Sequence, residues 1–414
     1  MVPKGWKKTH LKCVISGAIK NGYSPLPAST TTGYWVLSLG AFTDHGINPL
    51  EIKPVVVDEK VKQALLSGGD FLVSRSNTPN KVGRSIRFKN EVQNCSYPDL
   101  MMRFCIDTTK ADPDFIEIKL KSTEVRQYYK SCAAGSSSSM VKINKAVVEN
   151  TPLLLPSFPE QKKIAKILST WDKAISTTEQ LLANSQQQKK ALMQQLLTGK
   201  KRLLDNHGVR FSGEWVHGRL GELCTFKGGS AFQEEYQGHS EGDLPFIKVS
   251  DMNLRGNEKY IGHANNWVTN EAAREIKAKA FPKDAIVFAK VGAALLLNRR
   301  RILLRPTIID NNMMAAIPTS SGDTEFIYQL MLAVDFAKFV QDGAVPSVNQ
   351  GDLASFKITY PKKEEQQKIA AVLSTADQEI TTLQQKLDAL KLEKKALMQQ
   401  LLTGKRRVKV EVAA

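Results

Sequence analysis

The residues with the best spacing for catalysis are Pro98-Asp99 and Glu117-Ile118-Lys119. Together they have the outline of a PD-(D/E)xK nuclease centre. There, two carboxylates hold a divalent metal at a phosphate beside a lysine. The pattern is short and frequent by chance. Residues 114–120 alternate and read as a strand, whose outward face is charged without any catalytic role. Other signatures are missing from the sequence: no GxxxxGK[ST] loop, no GxGxxG, no GxSxG elbow and no Asn-Pro-Pro-Tyr-like turn. The six histidines form no metal-spaced pair.

Charge points to binding instead. Lys and Arg number 58 against 41 Asp and Glu, a net charge of +17. An excess of this size fits a polyanionic partner, nucleic acid above all. Arg and Lys can read guanine through two hydrogen bonds, and Asn and Gln adenine. In the first half such groups gather after a strand: Arg75, Ser76, Asn77, Lys81 and Arg84. In the second half the densest group is Asn298, Arg299, Arg300 and Arg301. Lys248, Ser250, Asp251, Asn253, Lys290, Asn311 and Asn312 are expected at comparable strand tips. Singly, each is as well explained as a solvated surface group; the clusters carry the expectation.

These groups need a scaffold, and hydrophobic content of 42% supplies real cores. No run of about 20 apolar residues is there to span a membrane. No apolar leader follows Met1. Five cysteines, odd in number and without CxxC spacing, fit reduced thiols in a cytoplasmic protein. Two globular blocks are expected, at 1–156 and 204–358. Strands are read at 34–39, 51–57, 70–73, 244–251, 285–288 and 355–360. Helices are read at 61–66, 123–132 and 325–341, with loops at 135–139 and 343–349.

Between and after the blocks runs a duplicated element. KKALMQQLLTGK occurs at 189–200 and again at 394–405. Residues 160–202 and 365–407 share 26 of 43 positions at a constant offset of 205. The first copy carries Ile164, Leu168, Trp171, Ile175, Thr178, Leu182, Ser185, Lys189, Leu192 and Leu196 in steps of four and three. The second carries Ile369, Leu373, Ile380, Leu383, Leu387, Leu390, Leu397 and Leu401. This is a coiled-coil seam. Ser157 to Glu160 has a capping-box pattern, and Thr-Gly-Lys ends both copies as a C-cap signal. Two seams in one chain meet at high effective concentration, so they should pair with each other, antiparallel under a pseudo-two-fold. The first long helix is placed at 157–203, the second at 359–407, and a tail at 408–414.

The chain resembles the specificity subunit of a bacterial type I restriction-modification enzyme. The resemblance rests on the EQxKIAxxLSTxD openings at Glu160 and Glu365 and on the KKALMQQLLTGK endings. Trp6, Trp215, the PFIKVSD stretch from Pro245 and GAVPSVNQGDL before the second helix also carry it. The first block departs from the pattern, with no PFIKVSD counterpart and Gly135–Ser139 in place of Gly-Ala-Val-Pro-Ser.

The resemblance implies an α+β fold, in which two mixed α/β target-recognition domains are joined and separated by the antiparallel helices. Each domain would read one half of a split asymmetric DNA site. The helices would set a spacer of about 6–8 base pairs, near one turn of DNA. They would also dock two adenine-N6 methyltransferase subunits, with motor-nuclease subunits joining. S-adenosylmethionine, ATP and magnesium belong to those partners, and this chain would be non-catalytic and hold no metal. The alternatives from the residues themselves are a nucleic-acid scaffold indifferent to sequence and the nuclease.

Overall fold

The computed structural model describes residues 2–43, 46–137, 140–340 and 345–410. It divides into two units, Met1–Thr178 with Lys386–Ala414, and Glu179–Gln385. Each unit holds a globular part and one half of each long helix. The first helix is Phe158–Leu196 and the second Lys363–Leu401.

The two globular parts repeat one topology. In the first unit a four-stranded sheet runs Ile15–Asn21, Met101–Ile106, Phe71–Ser74, Ser85–Arg87. In the second the order is Cys224–Gly228, Met313–Pro318, Ile286–Ala289, Arg300–Leu303, with Tyr260–Ile261 added outside. A second small sheet accompanies each. Trp35–Leu37 lies between antiparallel Ile52–Pro54 and parallel Cys95–Ser96. Leu244–Ile247 lies between antiparallel Trp267–Val268 and parallel Ile308–Ile309.

The counterpart of PFIKVSD therefore exists in the first unit. Trp35–Leu37 runs into a 3-10 turn at Leu39–Ala41, just as Leu244–Ile247 runs into one at Val249–Asn253. The strand itself is legible at 34–39, but its equivalence to PFIKVSD is not, because that lies in tertiary pairing and not in side-chain pattern. Gly22 and Gly229 are the other shared mark. A Cβ on Gly22 would lie 2.2 Å from the Pro98 carbonyl oxygen, and one on Gly229 2.0 Å from that of Asp310. Two chain segments cross there at a distance only glycine permits.

One expectation fails outright. Residues 114–120 are not a strand but part of a helix, Pro113–Lys121. Asp112 caps it by accepting from the Phe115 N–H, and Pro113 occupies the first turn. Its buried Phe115, Ile116 and Leu120 also fit the helical period. The expected helix at 325–341 stops at Ala333 and is followed by a 3-10 turn, Phe336–Phe339. Ala134–Ser137 pairs with Met140–Lys142, so the expected serine loop is largely a hairpin strand. Ser138, Ser139 and the expected turn at 343–344 lie outside the described residues.

Within each unit the helix halves run antiparallel. In the first, Asp172 pairs with Lys394 and Glu160 with Arg407. In the second, Lys189 pairs with Asp377 and Arg202 with Glu365. The lysines that interrupt the apolar seam thus each meet an aspartate of the other helix. Ile164, Leu168, Ile175, Leu182, Leu196, Ile369, Leu373, Leu387 and Leu401 are buried. Trp171, Leu192, Ile380, Leu383, Leu390 and Leu397 are half-buried. Gly199 and Gly404 close the helices at φ of 71° and 70°, which a side chain would resist.

The Glu-Gln pair that opens each helix is buried in both units and takes an arginine on the glutamate in each, although only Glu160 also takes a tryptophan N–H. Glu160 accepts from Arg407 Nε at 2.7 Å and from Trp6 Nε1 at 3.2 Å, so it is not the capping-box partner expected. Arg407 lies over the Trp6 ring, as Arg202 lies over Trp215. Gln161 donates to the Pro156 carbonyl and accepts from the Asp112 N–H. Gln366 does the same with Pro361 and Asp323.

Candidate nucleic-acid interface

Strand register gathers the expected second-half residues on one sheet edge. Gly228 faces Met314, Ala289 faces Met313, and Phe288 faces Arg300. The strand ends beyond these pairs carry Gly228-Gly229, Asn312, Lys290 and Arg299. The Lys290 N–H donates to the Asn312 carbonyl at 2.9 Å. Lys248 and Asp310 follow directly after the parallel pair Ile247 and Ile309.

Within this edge the side chains divide by burial. Ser250, Asn253, Arg299, Asn311 and Asn312 are exposed, and Lys248, Lys290 and Arg301 half-buried. Lys248 Nζ donates to Gln237 and lies 5.3 Å from the Phe232 ring centre. Phe232 in turn stacks on Phe246 at 3.6 Å. Arg299 donates to the Asn253 side chain. With Arg301 and Glu258 they border an open cavity of about 440 Å³. The Gly256 N–H, and further off Arg301, hold the Glu258 carboxyl below its ordinary value.

Other expected residues point inward. Asp251 is 1% exposed. It accepts from the Lys248 N–H at 2.7 Å and the Asn265 N–H at 3.0 Å, closing the turn. Arg300 is fully buried, stacked 3.8 Å from the Phe336 ring centre and donating to the Val334 carbonyl at 2.9 Å. Burial lowers its pKa to about 10. Asn298, at φ 53°, spends its amide on Asp335 and the Phe336 N–H. Arg301 donates to the Arg300 and Met252 carbonyls.

The first unit forms the matching edge. Ser74 faces Met101, Val73 faces Ser85 and Asn21 faces Met102. Arg75, Arg84 and Asn21 therefore end neighbouring strands. Arg75 donates to the Asp99 carbonyl at 3.4 Å and Arg84 to that of Phe42 at 2.8 Å. Lys81 is exposed, while Ser76 and Asn77 are buried. Sequence reading passed over Lys20 and Asn21, exposed at this edge, and Gln350, near Gly228. Only the topological match with the other unit singles them out.

The nuclease outline does not assemble. On a helix, positions 117 and 119 point to different sides. Glu117 pairs with Arg87 at 3.2 Å and Lys121 at 2.8 Å. Lys119 is fully buried and donates to Glu124 at 2.6 Å and to the Leu402 carbonyl at 3.2 Å. The Asp99 carboxylate accepts from Ser24. Among the described residues no cluster of His, Cys, Asp and Glu could hold a metal ion.

Each unit thus presents a matching strand edge with basic and amide groups beside halves of a duplicated helix pair. The chain belongs to the type I restriction modification DNA specificity domain family, whose profile matches residues 56–184 and 212–392. Members of that family are non-catalytic specificity subunits that work with other restriction-modification subunits and DNA. The chain is 24% identical to the putative type I restriction enzyme MjaX specificity subunit of Methanocaldococcus jannaschii, over 99% of this chain and 95% of that one. It is 26% identical to the EcoR124I/EcoR124II specificity subunit of Escherichia coli, over 55% of each. The fold is similar to the crystal structure of a type I S subunit from M. genitalium, with TM-score 0.60, 15% identity and 96% of each chain covered. No helix among the described residues is long and apolar enough to cross a membrane.

Proposed function

We propose that the sheet edge of each unit reads one half of a split asymmetric site on double-stranded DNA. The observation that carries this reading is the shared topology, which brings basic and amide side chains to the same edge twice. In the second unit Arg299, Asn253, Lys290, Asn311, Asn312, Lys248 and Ser250 are the base- and phosphate-facing groups. In the first they are Arg75, Lys81, Arg84 and Asn21. Asp251, Asn298, Arg300, Ser76 and Asn77 support these edges from within. The domains behind the edges are residues 1–156 and 204–358.

In this reading the antiparallel helices set the spacer, at about 6–8 base pairs. A stiff helical spacer fixes such a distance where a flexible linker does not. Two methyltransferase subunits dock on the helices and modify adenine with S-adenosylmethionine, and motor-nuclease subunits use ATP and magnesium. The complex works in the cytoplasm, where its DNA lies. The test is to express the chain with the methyltransferase subunit encoded beside it in a methylation-free host and sequence the native DNA. One split motif with a fixed gap is expected. No methylation from an assembled complex would leave a scaffold bound by charge alone.

A further inference from the structure

One polar network in the second unit is not explained by base reading or by pairing of the helices. Lys259 lies one residue before strand Tyr260–Ile261, on the outer side of Arg300–Leu303. Its Nζ reaches Ser374 of the second long helix at 2.9 Å and Glu325 at 2.9 Å. It also lies 5.2 Å and 5.5 Å from the Tyr260 and Tyr328 ring centres. Tyr260 donates to Glu325 at 2.5 Å. One turn on, Gln329 donates to Asp377 of the second long helix at 2.6 Å. The other oxygen of Asp377 takes Lys189 of the first. Three elements therefore meet on one carboxylate.

The network is buried and directional. Gln329 is fully buried, and its carbonyl oxygen has no partner. An amide kept there despite that cost is held for what its nitrogen does. Among the described residues the first unit lacks the arrangement. Counting from the capping aspartates Asp112 and Asp323, Ile118 stands where Gln329 does. Ser169, the repeat partner of Ser374, is exposed and bonds back to the Lys166 carbonyl. Only the helix-to-helix pair, Asp172 with Lys394, is common to both units.

We propose that Lys259, Glu325, Gln329 and Asp377 form a clamp that fixes the angle of the second recognition domain on its helices, so that a single spacer length is accepted. The clamp grips the sheet that carries Arg299 at a strand end, but touches none of the base-facing groups. These are positioning residues, and the proposal rests on the DNA reading above.

The test uses the whole methyltransferase complex carrying Gln329→Met or Lys259→Met, with the methylome read as for the wild type. Met keeps the volume of Gln329 and removes an unsatisfied oxygen, so that variant is expected to keep the melting temperature. Both variants are expected to keep the same half-site bases. Both should also methylate sites whose gap is one base pair shorter or longer, at about a tenth of the frequency or more. Folded variants that keep one gap would overturn the clamp. Changed half-site bases would overturn it too, making the network part of base reading. If Lys259→Met does not fold, Gln329→Met decides. Absence of a split motif from the wild-type complex would instead sink the DNA reading itself, and the clamp with it.

Discussion

Arg299 and Arg300 are adjacent in the chain, yet one is exposed at the sheet edge and the other stacked beneath it. Their substitutions should separate accordingly. Arg299→Ala is expected to weaken binding of the second half-site by about 1–3 kcal/mol, with little change in melting temperature. Arg300→Met leaves the Val334 carbonyl without its donor. It is expected to cost about 1–3 kcal/mol of stability and to leave the methylated motif unchanged. Thermal melts beside native-DNA sequencing check both, and a changed motif from Arg300→Met would refute its placement. Residue type was legible here, but orientation was not. In a run of Asn-Arg-Arg-Arg nothing marks which guanidinium turns inward, because strand register against Phe288 decides it. Asp251, expected among the DNA-facing groups at a strand tip, is likewise held inside by the Lys248 and Asn265 amides.

At the scale of elements, the long helices were legible because a 3.5-residue period over many turns averages out local exceptions. The helix Pro113–Lys121 was not, since seven residues of accidental alternation outweighed the Asp-Pro start signal. The anchors at the helix starts give a graded prediction. Glu365 and Glu160 are equally buried, but the Arg202 side chain is 21% exposed and that of Arg407 45%. Solvent screens the second pair more strongly. Glu365→Gln is therefore expected to cost about 2–3 kcal/mol, and Glu160→Gln less, in urea titrations of the full chain. A larger loss from Glu160→Gln would contradict this ranking. Leu387→Lys puts a charge into the buried seam and should prevent assembly with the methyltransferase while both globular parts stay folded. A mutant complex that assembled normally would count against the paired seam.

For the molecule as a whole, the excess of positive charge predicts steep salt dependence. If six to ten phosphates are neutralised, affinity should fall by roughly 10³–10⁵ between 50 and 200 mM salt. A specific duplex should keep its advantage over a scrambled one throughout, whereas a charge-only scaffold would show none. Duplication was legible in the helices and hidden in the globular parts. There the repeat survives as strand order, and in Gly22 and Gly229, where two segments cross too closely for any side chain. Topology of this kind is stored in pairings between distant residues, so no window of sequence displays it.

The grip of Gln161 and Gln366 has an evolutionary reading. Gln161 holds one carbonyl and one N–H of the main chain, and Gln366 two carbonyls and one N–H, groups that nearly every sequence presents. A globular part can then change nearly all its side chains and still seat on the same helix start. Recombination with breakpoints beside these glutamines would exchange one recognition module for another. The repertoire of targets could grow by shuffling, with no new joint to be invented.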